Sequence, residues 1–255
     1  MQLSPMLYLP LSKPVSGEDR KTRSSKDRKP GSNPLFPVQH FPTFRLSDFR
    51  TFISLLLFLL IVLASCSSAY KGLPSVQGDV ACIQQFKPKF TSVLYAAQVD
   101  VAGRHLSGLL LMKIMPDSST RVVFTSETGF KFFDFEFSAN EQFKVYQVIK
   151  QMNKKAVIKT LRKDFELVML RNTPAAGAYI VKKDELNYYA FPQQKGVNYY
   201  VTDSACTRLV RMERASKRKA VVEAIMQQYV NGVPDTIGIT HKNFNFTIGL
   251  KYLPK

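Results

Sequence analysis

The sequence predicts a mainly β fold: a curved antiparallel sheet of about eleven strands with one substantial helix. Three observations lead there. Apolar and polar residues alternate with period two through most of the chain after residue 86. One stretch alone switches to a helical period. Roughly eleven or twelve short strands in one small domain do not stay flat and must curl into a barrel, a half-barrel or a sandwich.

Residues 90–101, FTSVLYAAQVDV, place Val93, Tyr95, Ala97, Val99 and Val101 on one face, with Gln98 and Asp100 on the other. Gly103 and Arg104 turn the chain into residues 105–115, where Leu106, Gly108, Leu110, Met112 and Ile114 share a side. Leu109 and Leu111 make the opposite side partly apolar. Past PDSS come TRVVFT and then FKFFDFEF, in which Phe133, Phe135 and Phe137 share a face and Asp134 and Glu136 point the other way, toward solvent. FKVYQVI, from Phe143, completes a meander of five strands.

The period then changes. From Asn153, a good N-cap, Val157, Leu161, Phe165 and Val168 form an apolar stripe opposite Lys and Arg, predicting an amphipathic helix that ends near Asn172, before Thr173 and Pro174. Core packing is the simplest use of that stripe. AYIVKK, LNYYAF, VNYYVTD, CTRLVRMER and KAVVEAIMQQYV follow as strands, and the turn NGVPDT leads to DTIGITHK and FNFTIGLKYL.

Ahead of this domain, residues 52–63 are continuously apolar, too short to span a bilayer, which takes about twenty residues. Arg45 and Arg50 before them, and Ala64 and Ser65 after, give the order of a secretory signal peptide over residues 45–65. Leu63, Ala64, Ser65 and Cys66 resemble the lipobox of bacterial lipoproteins, which implies Cys66 as the lipidated new N-terminus. Residues 1–44 are basic and rich in Ser and Pro, with little to bury, so they read as a disordered leader that cleavage would discard or that a start codon called too early would add. Residues 66–85 read as a lipidated tether and 86–255 as the β domain.

The chain carries 36 Lys and Arg against 19 Asp and Glu, a formal charge of +17, and the part from Cys66 onward keeps +12 of it. Such an excess suits nucleic acid or an anionic membrane surface. Export argues against nucleic acid, and the basic residues are scattered rather than gathered in a recognised motif, so a solvated surface accounts for most of them. Cys82 and Cys206 either pair across a long loop in an oxidising compartment or serve as small buried apolar residues.

The lipobox, the five-strand meander, the helical insertion and the closing strands joined by NGVPDTI together resemble the LolA/LolB class of lipoprotein carriers and their relatives in Bacteroidota. That resemblance, over about residues 86–253, implies an open, strongly curved sheet whose apolar concave side lies under helices and holds acyl chains. LolB carries an exposed apolar loop, whereas PDSST and SETG here are short and polar. Leu110, Met112, Phe133, Phe135 and Phe137 are the candidate ligand-lining residues; alternation marks an apolar face and leaves open whether it is filled or empty.

Enzyme signatures are missing. His105 and His241 stand outside any HExxH or CxxC-type spacing, His40 falls in the leader, and GxSxG, P-loop and GxGxxG motifs do not occur. No cofactor or metal is expected. The sequence expectation is therefore an outer-membrane lipoprotein, anchored by lipid and facing the periplasm, that binds a lipid or lipoprotein acyl chain without covalent chemistry. The alternative is a structural lipoprotein that joins an outer-membrane or periplasmic protein complex and has no ligand cavity. Ser67 follows the anchor, rather than the Asp that retains enteric lipoproteins in the inner membrane.

Overall fold

A computed structural model describes residues 68–101 and 103–254, together with Ile53, Ser54 and Leu56. The chain divides into two compact units, Met1–Leu56 and Leu57–Lys255. Within the first, Ile53, Ser54 and Leu56 are helical and exposed. Cys66, the leader, and nearly all of the signal peptide lie outside the described residues. No helix among the described residues is long and apolar enough to cross a membrane.

The second unit is one sheet of 12 antiparallel strands, in the order β5-β4-β3-β2-β1-β12-β11-β10-β9-β8-β7-β6. The first half comprises β1 (Ser92–Val101), β2 (Arg104–Ile114), β3 (Thr120–Thr125), β4 (Lys131–Phe137) and β5 (Phe143–Val148). The second comprises β6 (Tyr179–Lys183), β7 (Leu186–Pro192), β8 (Val197–Thr202), β9 (Leu209–Ala215), β10 (Ala220–Val230), β11 (Val233–His241) and β12 (Phe246–Leu253). One helix, α1 (Lys155–Val168), links the two edge strands, β5 and β6. Pairing of β1 with β12 joins the two meanders at the middle of the sheet. The predicted mainly β, open antiparallel architecture is what the chain forms, with twelve strands.

The sheet is strongly curved, and α1 demonstrates it. Phe165 packs against Phe133 and Phe137 of β4, while its neighbour Asp164 binds Arg214 of β9. β4 and β9 are seven places apart in the strand order. In a flat sheet that separation is about 34 Å, three times the roughly 10–12 Å width of a helix. Both ends must therefore bend toward the same face.

The predicted alternation is met in β1 and β2: Val93, Tyr95, Ala97, Val99, Leu110 and Met112 are buried on the concave face. Gly108 of β2 is required by closeness, since a Cβ there would stand 1.9 Å from the carbonyl oxygen of Thr125. Asn231 and Gly232, both at positive φ, make the turn between β10 and β11, so the strand resumes at Val233 rather than after NGVPDT.

Other expectations are corrected. Asn153 does not cap the helix: the chain enters α1 one residue later, with Lys154 at the cap position and no side-chain bond there. The helix stops at Val168, with Leu170 and Asn172 in left-handed conformation, before Thr173 and Pro174 are reached. Phe244 lies outside β12 and is exposed, stacked beside Phe246.

Residues 68–85, read from the sequence as a tether, are built into the domain. Tyr70 stacks on Tyr199 with centroids 4.4 Å apart and donates its hydroxyl to Glu213. Burial, and then that carboxylate, push the Tyr70 hydroxyl well above the usual tyrosine range. With Leu73 it covers a second apolar cluster on the outer face, made by Val181, Tyr188, Ala190, Tyr199 and Val201. Further on, Ser75 bridges to Val181, Val76 N–H donates to Ile180 and Lys182 N–H donates to Pro74, which covers the otherwise open edge of β6. A 3-10 helix over Val80–Phe86 then drops Ile83 into the core.

Cys82 of that 3-10 helix is disulfide-bonded to Cys206 in the β8–β9 connection, across a sequence separation of 124. Constraining so long a loop removes much of the unfolded chain's freedom, and reduction is expected to lower stability by roughly 2–4 kcal/mol. Urea melts with and without a reductant test this; coincident curves would show that the bond contributes nothing.

Candidate functional site

The five residues predicted to line a ligand space are all buried on the concave face. Leu110, Met112, Phe133, Phe135 and Phe137 are each at most 2% exposed. Phe133 stacks on Phe135 with centroids 4.4 Å apart, and Phe143 of β5 meets both Phe135 and Phe137 edge-on. From above, Phe165 of α1 approaches Phe133 to 5.9 Å and Phe137 to 6.4 Å between centroids. Leu161, Leu167 and Val168 are buried alongside it. All five belong to one buried cluster, in which the rings of Phe133, Phe135, Phe137, Phe143 and Phe165 pack against one another.

Polar contacts hold α1 in place at three points. Asp164, with no exposed surface, accepts from Arg214 Nη1 at 2.9 Å and lies 2.9 Å from His241 Nε2. His241 also packs against the stacked rings of Phe244 and Phe246, 4.7 Å from each between centroids. Tyr200, wholly buried on β8, donates its hydroxyl to the carbonyl of Leu167 near the helix C-terminus, at 3.3 Å. Just past the helix, Arg171 Nη2 donates to the carbonyl of Ser138 at 2.5 Å. These pins tie α1 to β9, β11, β8 and the β4–β5 turn.

Asp134 and Glu136, expected to face solvent opposite the three phenylalanines, do point away from them but are buried. Arg121 lies across Asp134, donating from Nε at 2.5 Å and from Nη2 at 3.1 Å, and Lys131 adds a third bond at 2.9 Å. Glu136 accepts from Tyr146 at 3.0 Å, and the Arg121 guanidinium stacks 3.8 Å from the Tyr146 ring centre. Burial by itself would raise the Asp134 carboxyl, but the hydrogen bonds from Arg121 and Lys131 outweigh it and hold the group below its ordinary value. Because the folded value is the lower one, this stabilisation is complete above the unfolded carboxylate's range and is lost as pH falls through the folded value. Stability is therefore expected to drop below about pH 4, and Asp134→Asn is expected to flatten that part of a pH–stability profile.

His105 lies at the protein surface, paired with Asp100 at 2.7 Å. No group of three His, Cys, Asp or Glu suited to a metal ion occurs among the described residues.

Cavities among the described residues of this unit include the following three. One of about 530 Å³ lies on the outer face of β1, β12, β11 and β10, among Ala96, Ile225, Gly238 and Gly249. Another, of about 420 Å³, sits by the helix C-terminus between Phe90, Ile114 and Leu170. The third, of about 620 Å³, is a basic cleft between the N-terminal half of α1 and the β7–β8 and β9–β10 turns, with Lys159, Lys163, Lys195, Arg214 and Lys217 in its wall. None of the three is lined by any of the five predicted residues.

No protein-family model and no curated protein matches the sequence. Solved structures do resemble it in fold. A LolA superfamily protein from Nitrosomonas europaea is 8% identical, with a TM-score of 0.44, over 71% of this chain and 92% of that one. A protein domain from Vibrio parahaemolyticus, described as outer membrane lipoprotein-sorting, is also 8% identical, with a TM-score of 0.40 over 69% and 90%. A DUF1329 family protein from Desulfovibrio piger is 9% identical, with a TM-score of 0.37 over 68% and 88%. A functional reading must stand on this chain's own residues.

Two features of the site escaped the sequence reading. The Asp164, Arg214 and His241 cluster joins residues from three distant segments, so no local spacing announces it. The basic cleft was dispersed among residues counted as scattered surface charge; the i, i+4 pair Lys159 and Lys163 was its one local signal.

Proposed function

We propose that this chain is a lipoprotein, anchored by Cys66 to the outer membrane and facing the periplasm, that holds a lipid or lipoprotein acyl chain non-covalently between α1 and the concave face of the sheet. One observation carries the reading: a single helix, joining the two edge strands, crosses a phenylalanine-lined concavity and supplies the side chains that fill it. Displacing α1 exposes that face. Burying Leu161, Phe165, Leu167 and Val168 is worth about 1.5–3 kcal/mol each, so about 6–12 kcal/mol in all. An acyl chain of about fourteen methylenes regains a similar amount, at about 0.8 kcal/mol per methylene. The reaction needs no covalent step from the protein.

The filled interior favours a second reading, a structural lipoprotein whose sheet is a docking scaffold. Native mass spectrometry of the purified protein after incubation with vesicles separates the two. Bound lipid supports the carrier; repeated recovery of empty protein favours the scaffold. Metabolic labelling with a palmitate analogue tests the anchor, and unchanged labelling of Cys66→Ala would exclude that residue.

A further inference from the structure

The basic cleft beside α1 is unlike ordinary surface charge. A helix face rich in lysine is usually solvated, each cation free to turn away from its neighbours. Here the cations come from three separate places and converge: Lys159 and Lys163 one turn apart on α1, Lys195 from the β7–β8 turn, and Arg214 with Lys217 from the end of β9 and its turn. No carboxylate lines the cleft. Asp164, the nearest acid in sequence, is buried against Arg214 and His241. Lys163 is half-buried, and burial, followed by the positive charges of Arg214 and Lys159, lowers its ammonium below the ordinary lysine value. The floor is short and apolar, from Ala156, Ala215 and Val221.

The start of the domain is fixed at the same place. Ser68 Oγ donates to the carbonyl of Lys217 at 2.8 Å, and Ala69 N–H donates to that of Arg218 at 2.8 Å. Lys217 thus both lines the cleft and holds the chain two residues after Cys66. Two extended residues reach at most about 7 Å. A lipid on Cys66 therefore brings this corner of the domain to the bilayer, whose headgroup layer is about 5–7 Å thick on each side.

We infer that the cleft binds the phosphate group of an anionic phospholipid headgroup in the membrane to which Cys66 tethers the chain. The placement rests on the Cys66 anchor proposed above; recognition of phosphate by the cleft does not. Phosphate suits the site because several cations arranged round a small space satisfy one compact anion with several oxygens, and Arg214 adds a planar fork of donors. A headgroup lying here also sits beside the N-terminal half of α1, the element that an entering acyl chain must displace.

The test uses the full lipidated chain in a non-ionic detergent, with mixed micelles holding equal phosphatidylglycerol and phosphatidylcholine, read by native mass spectrometry. Phosphatidylglycerol is expected to be retained in preference to phosphatidylcholine. Replacing Lys159, Lys163 and Lys195 together by Gln is expected to weaken its retention by about tenfold or more, given the usual attraction of each lysine to anionic lipid. A variant with Lys113, Lys150 and Lys183 changed to Gln has the same net charge and should behave as wild type. Equal retention of the two lipids, or equal loss in both triple variants, overturns the inference. The unmodified chain gives an arm independent of any variant: its preference should fall as ionic strength rises, and an unchanged preference counts against the cleft. Inorganic phosphate displacing phosphatidylglycerol supports the phosphate contact, whereas phosphate binding without lipid retention assigns the cleft to free phosphate and overturns the lipid source. Lipid retained through its headgroup in a chain that takes no palmitate label would sink the Cys66 anchor and leave the cleft standing.

Discussion

Asp164→Ala is expected to lower the unfolding free energy by roughly 3–5 kcal/mol, the loss typical when one partner of a buried ion pair is removed. Asp164 has no exposed surface and is the carboxylate that both Arg214 and His241 meet, each at 2.9 Å. Alanine would strand a guanidinium whose side chain is only 13% exposed, together with a nearly enclosed imidazole. Asp164→Asn keeps the shape and one acceptor, so it should cost less. The double variant Asp164→Leu, Arg214→Met should recover part of the deficit, because it removes the uncompensated charge along with its partner. Urea unfolding at constant m measures all three. A loss under about 1 kcal/mol for Asp164→Ala would mean that water reaches Arg214 and that the cluster is not the pin described above.

That cluster also shows where sequence reasoning stops. Alternation finds strands because each residue's face depends only on its neighbours two positions away, and β1, β2, β4 and β12 were legible on that ground. The same rule placed Phe133, Phe135 and Phe137 on the buried side. It failed for Asp134 and Glu136, because their burial depends on Arg121 of β3 and Tyr146 of β5 folding over them from the strands on either side. It was silent on whether the concavity is full, since that depends on a helix some thirty residues further on laying Phe165 over Phe133. The tether failed for a related reason: SSAYKG reads as polar, yet Ser68 and Ala69 bond the β9–β10 turn and Tyr70 stacks on Tyr199, all more than a hundred residues away. Cys82 and Cys206, left open by sequence, needed only a distance, and the structure supplies it with a Cα separation of 6.6 Å.

The same geometry ties two faces of α1 to different tasks. One face carries Leu161, Phe165, Leu167 and Val168 into the core, while the other presents Lys159 and Lys163 to the basic cleft. Asp164 stands at the junction and reaches the cleft through Arg214. A headgroup drawing Arg214 toward its phosphate would therefore compete with Asp164 for the same guanidinium, which loosens the contact that holds the helix over the sheet.

Phe165→Ala probes that helix from the apolar side and is expected to destabilise the protein by roughly 3–5 kcal/mol. Phe165 is fully buried and bridges Phe133 and Phe137, so its removal leaves a space that the stiff sheet beneath cannot close by relaxing. A cavity walled by phenylalanine and leucine stays dry and takes small apolar guests such as benzene or xenon, so either should raise the variant's melting temperature and leave the wild type unmoved. The two functional readings then diverge. If α1 is displaced to admit an acyl chain, the variant has given up part of the packing against which the chain competes, and it should retain more lipid than wild type after exposure to vesicles. If the interior is only a scaffold's core, the variant is less stable, accepts benzene, and still comes away from vesicles empty. Lipid retention that rises as helix packing weakens is a result that a scaffold does not produce.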